Sequence, residues 1–98
     1  MRLGAKFPLG RLAATPGALE ALAASGQTAE FFLARHASGD YGEVNEEDRQ
    51  SNDAALVHGD RILSAYRTLK GVRVWVITEA ADDSGHRAAT TILLPDEY

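Results

Sequence analysis

The hydrophobic period of the chain changes at Gly59. Before it, apolar residues recur three or four positions apart, as in Leu19 and Leu22, Ala29 and Leu33, or Phe32 with His36. After it they alternate: Ile62, Ser64 and Tyr66 against Leu63 and Ala65, then Val72, Val74, Val76 and Thr78 against Arg73, Trp75, Ile77 and Glu79. The first spacing lines one face of a helix and the second one face of a strand. Helices first and strands afterwards specify an α+β domain, because alternating βαβ units would interleave the two periods.

Capping residues bound the helical half. Thr15-Pro16 combines a side-chain acceptor with a first-turn proline that has no donor to waste, so a helix is predicted over 16–25 with Gly26 as its stop. Thr28 is placed to cap a second helix over 29–37, and Asn45 a third over 46–58, whose first turn carries Glu46, Glu47 and Asp48 where the helix dipole favours negative charge. Strands are predicted over 61–67, 72–79 and 89–94, joined by short loops, which favours antiparallel pairing. Phe7–Leu12, broken by Pro8 and Gly10, reads as a short edge strand or an extended arm. The expected architecture is a single domain, 1–98, with two or three N-terminal helices packed on a three- to four-stranded antiparallel β-meander. Which sheet face is buried stays open: with the valines inward, Trp75 is exposed and marks a partner surface.

Composition limits the chemistry. The 98 residues hold no cysteine, which excludes disulfides, thiolate metal sites and cysteine nucleophiles. Met1–Lys6 is not followed by the apolar run of a signal peptide, and no apolar stretch is long enough to span a membrane, so a cytoplasmic location is expected. The net charge of −4 argues against nucleic acid as a partner, although Arg61, Arg67, Arg73 and Arg87 all fall in the β half. A chain of this size buries only about 60–65% of its unfolded surface, which leaves room for a homo-oligomer.

Reactive residue types concentrate at His36-x-Ser38-Gly39-Asp40-x-Gly42. A histidine base oriented by a carboxylate, beside glycines that admit a ligand to the backbone, makes His36, Ser38 and Asp40 the catalytic candidates. The bland alternative is a helix C-terminus, where His36 meets the dipole and Ser-Gly-Asp is ordinary loop chemistry. A metal would enlist His36 and Asp40 with Glu43 or Asp48, but no ligand spacing is present, and neither metal nor cofactor is expected. Between positions 40 and 53 six acids outweigh Arg49 to leave −5, more than the net charge of the whole chain. Glu46, Glu47, Asp48 and Asp53, with Trp75, are therefore the partner-binding candidates. Ser64, Tyr66, Thr78, Glu79, Arg87, Thr90 and Thr91 are predicted to converge across neighbouring strands. Among them Tyr66, Glu79 and Arg87 are ligand-binding candidates, with a Glu79–Arg87 pair flanking the last turn.

Several stretches, taken together, resemble a family of small proteins carried by plasmids, phages and integrated elements. They are Phe7-Pro8-Leu9-Gly10, Ala14–Leu19, Arg35-His36-x-Ser38-Gly39-Asp40-x-Gly42, Glu47-Asp48, Arg61–Tyr66, Trp75–Ala80 and Thr90–Tyr98. Such proteins are labelled plasmid-related or, misleadingly, as a type I restriction subunit; no methyltransferase cofactor motif or nuclease carboxylate–lysine pattern is present here. Tyr41 stands where the relatives usually have tryptophan, and the turn over 81–86 is longer than theirs. The resemblance implies a mobile-element context without an activity. It favours a non-catalytic module that binds another protein, acting against host defence. A small enzyme or ligand-binding domain using His36, Ser38 and Asp40 is the alternative.

Overall fold

The computed structural model describes residues 5–98; residues 1–4 of the stretch read for a signal peptide lie outside the described residues. Strand β1 (Arg11–Ala14) is followed by helices α1 (Pro16–Ser25), α2 (Ala29–Ala37) and α3 (Glu46–His58). Strands β2 (Ile62–Arg67), β3 (Arg73–Thr78) and β4 (Ala89–Leu93) come next, and a 3₁₀ turn, Pro95–Glu97, ends the chain. Each helix begins where a cap was expected: Thr15, Thr28 and Asn45 accept from the amides of Ala18, Phe31 and Asp48.

The protein is α+β, but its sheet is mixed rather than purely antiparallel. The strand order is β1-β4-β3-β2, with β2/β3 and β3/β4 antiparallel and β1 parallel to β4. The reason lies in the connections. Three helices carry the chain back across the sheet, so β2 starts at the same end as β1, and two hairpin reversals later β4 runs that way again. The N-terminal strand also begins later than the 7–12 pattern suggests. Pro8 has no amide to donate, and Gly10 takes a left-handed φ of 68° at a point where a Cβ would lie 2.2 Å from the Arg87 carbonyl oxygen. Phe7 is instead buried against Tyr41, Ala55 and Ile62.

The valine face is the buried one. Val74 and Val76 join Tyr66 and Ile92 of the sheet, Ala18 and Leu22 of α1, and Phe32 and Leu33 of α2 in one core. Full burial of such a side chain contributes about 1.5–3 kcal/mol relative to exposure. Trp75 and Ile77 lie half-buried on the opposite face, where the C-terminal turn brings Tyr98 edge-on to Trp75 at 5.8 Å.

The outer edge of β2 is closed by side chain and loop. The buried Asn52 of α3 donates to the Leu63 carbonyl at 2.7 Å and accepts from its amide at 3.1 Å, as a neighbouring strand would. One residue pair further on, Ala65 donates to the Tyr41 carbonyl and accepts from the Glu43 amide. Gly42 permits this approach: its φ is 72°, and a Cβ there would lie 2.2 Å from the Ala65 carbonyl oxygen.

Candidate functional site

The three residues of the histidine loop point in different directions. Phe32 and His36, one helical turn apart, both face the sheet and are fully buried. Ser38 turns back to donate to the Arg35 carbonyl, closing the end of α2. Asp40 is exposed and pairs with Arg35 at 2.7 Å, an interaction that, with the Gly42 amide, holds its carboxyl below the usual carboxylate range. Arg35 lies over the Tyr66 ring, 4.5 Å from its centroid, and the Tyr66 hydroxyl donates to the Asp40 carbonyl. Burial raises the Tyr66 phenol well above its ordinary range.

His36 belongs to a buried chain of hydroxyls whose donor directions follow from one end. Thr90 Oγ1 donates to the Leu9 carbonyl at 2.7 Å. Its proton committed, Thr90 accepts from Thr78 at 2.6 Å, and Thr78 in turn accepts from His36 Nε2 at 2.8 Å. Burial first and the positive charge of Arg87 second push the imidazole down to about 4, so the ring is neutral at neutral pH. Nε2 thus carries the only ring proton, and Nδ1 accepts from Ser64 Oγ at 2.5 Å. A serine donating to a histidine is the arrangement of a nucleophile and its base. Ser64, His36, Thr78 and Thr90 all have zero exposure, however, and the edge of the Phe7 ring closes over the imidazole at 5.2 Å. Every polar atom has a protein partner and no substrate reaches any of them. The chain ties α2 to three strands.

Ser64, Thr78 and Thr90 converge as predicted, while Glu79 is exposed and Thr91 lies on the opposite sheet face. Arg87 does not pair with the Glu79 carboxylate. Its guanidinium is buried and donates to the carbonyls of Asp60, Glu79 and Ala55, the last in the final turns of α3 where the dipole favours a cation. Arg87 is thus a clamp between α3 and the last hairpin. Of the four arginines of the β half, Arg67 and Arg73 are cross-strand neighbours, but Arg67 pairs with Glu43, Arg61 donates to the Tyr98 hydroxyl and Arg87 is buried away from them.

The acidic candidates stay in water, but with a smaller field than their formal charge implies. Arg49 bridges Glu46 at 2.5 Å and Asp53 at 3.5 Å, Asp40 has Arg35 and Glu43 has Arg67. Glu47 and Asp48 have no ion pair among the described residues. Asp48 lines a groove of about 230 Å³ between the first turn of α3 and the open face of the sheet. Trp75 lines the same groove with Leu63, Ala65 and Arg73. An acid and an indole 27 positions apart thereby share one concave, water-facing site. Arg73, singled out in the sequence only as one of the four arginines of the β half, reaches this groove through the Arg67–Arg73 pairing of β2 with β3. Asn52 did carry a signal: it is a polar residue on the helix face that also holds Ala55 and Leu56.

Comparison of the chain with protein-family models, with curated proteins and with solved structures finds no match. Among the described residues no group of histidines and carboxylates is placed to hold a metal ion, and no helix is long and apolar enough to cross a membrane.

Proposed function

We propose that this protein is a non-catalytic interaction module that binds another protein through the groove between α3 and the open sheet face. One observation carries the reading: Asp48 and Trp75, chosen separately for charge and for contact area, line the same groove. A partner segment placing an apolar or aromatic side chain on Trp75 and a lysine or arginine beside Asp48 and Glu47 fits that chemistry. The resemblance to small plasmid and phage proteins supports a cytoplasmic role on a mobile element, directed at a host defence component. The alternative built on His36, Ser38 and Asp40 has less support, because the first is sealed in the core and the other two are committed to Arg35.

Capture of binding proteins from bacterial lysate tests the reading when wild type, Trp75→Ala and a Glu47→Lys/Asp48→Lys double variant are run together. The expected result is one protein retained by wild type and lost or much reduced with both variants, the tryptophan change weakening binding about tenfold to a hundredfold. Equal retention by all three removes the groove from function.

A further inference from the structure

We infer that the free edge of β1 is a self-association site, at which a second copy of this chain adds its own β1 in antiparallel register to make one continuous eight-stranded sheet. In contrast to β2, whose outer edge is covered, β1 ends the sheet. Arg11 and Thr15 direct their amides to the carbonyls of Ala88 and Ile92 in β4, so alternation turns the amides and carbonyls of Leu12 and Ala14 away from the sheet. Those groups have no hydrogen-bond partner among the described residues. The strand carries no lysine, proline or bulge that would blunt its edge.

Beside this edge lies an apolar groove of about 720 Å³ between β1 and the outer face of α2. Leu12, 55% exposed, and Phe31, 50% exposed, line it together with Leu33 and Ala34. A strand added at β1 projects alternate side chains into that groove, which is how sheet edges recognise extended segments.

The register and the charges single out a second copy as the occupant. Two outward residues flanking Ala13 define a two-fold axis through Ala13: Leu12 of each copy exchanges both hydrogen bonds with Ala14 of the other, four bonds in all. Ala13 then faces its own equivalent. It is small and exposed, so the strands can close. Leu12 of the partner enters the apolar groove beside Ala14, which packs against the core and shares its face with Leu12. The same register sets Arg11 of the partner opposite Thr15. There the Glu97 carboxylate accepts from Thr15 Oγ1 at 2.5 Å and from the amides of Leu94 and Gly17, yet has no cation among the described residues. Arg11 is exposed and without an ion pair among the described residues. Each copy supplies the charge the other lacks, twice about the axis.

The full chain is tested by sedimentation over a wide concentration range, with circular dichroism and melting to verify the fold of each variant. Wild type is expected to form a dimer that Ala13→Glu weakens about a hundredfold, by placing like charges at the axis. Arg11→Glu is expected to weaken it by a smaller factor. Because the chain has no cysteine, Ala13→Cys gives an independent readout. A non-hydrogen-bonded antiparallel pair holds its Cα atoms about 4.5 Å apart, within disulfide range, so this variant is expected to cross-link fully under mild oxidation. Val57→Cys, exposed on α3, is the control expected not to. A dimer indifferent to Ala13→Glu, or equal cross-linking by both cysteines, overturns the inference. So does a monomer at every concentration, whether the edge then takes a strand of another protein or residues 1–4 of its own chain.

Discussion

The interior around His36 and the groove around Trp75 both hold polar side chains, under opposite conditions. Inside, a histidine, a serine and two threonines form a closed chain that ends on the Leu9 carbonyl with no exposed atom. Outside, Asp48, Trp75 and Arg73 border open space, and Asp48 has no salt-bridge partner among the described residues. The difference is in what satisfies them. A buried polar group must find its partners within the protein, and once it has them it is structural. A surface group has water, which a partner can displace. Reactive residue types alone therefore located the less accessible of the two regions, and only satisfaction by neighbours separates scaffold from interface.

The largest effect that tests this contrast is expected from His36→Ala. It leaves Ser64 and Thr78 without their partner and opens a cavity in the core, a destabilisation of about 3–5 kcal/mol readable by urea unfolding. A loss within the range of a surface substitution would show that the chain of hydroxyls contributes nothing to the fold.

Acid should separate the regions next. Because the folded imidazole sits at about 4 rather than its ordinary 6.5, the unfolded state binds more protons between those values. Stability is full above pH 6.5 and falls as the pH drops toward 4, by about 3 kcal/mol in total. The same titration on His36→Gln, even if less stable throughout, is expected to lose this slope. Persistence of the slope would assign acid sensitivity to other groups.

Thr78→Val breaks the middle of the chain while keeping the side-chain shape. It leaves His36 Nε2–H without an acceptor and is expected to cost about 1–3 kcal/mol. The smallest effect belongs to Asp48 of the groove and its neighbour Glu47: Glu47→Gln and Asp48→Asn remove charges at the start of α3 and are expected to cost less than about 1 kcal/mol each, decreasing with salt. A larger cost would make the acids part of the scaffold and remove the contrast.

Much of the architecture was legible in local patterns. Thr15, Thr28 and Asn45 announced three helix starts because a cap is a local event, involving one side chain and an amide three residues on. The alternation in β2 and β3 announced two strands and their shared face. The late start and parallel pairing of β1 were not legible, since both depend on where Gly10 meets Arg87 and on the return path through three helices. Arg87 itself shows the limit. Beside Glu79 in a predicted hairpin it suggests a surface ion pair, yet it is buried on three backbone carbonyls drawn from α3 and two loops.

By itself, then, the order of residues determined the element types, the helix starts and the two candidate regions, because periodicity, capping and charge act over a few positions. Tertiary structure decided which sheet face is core, that His36 is sealed, that Arg49 quenches part of the acidic run, and that Asp48 meets Trp75. Each of those outcomes depends on contact between segments tens of residues apart, where burial and hydrogen-bond partners are set by packing, and no local pattern encodes it.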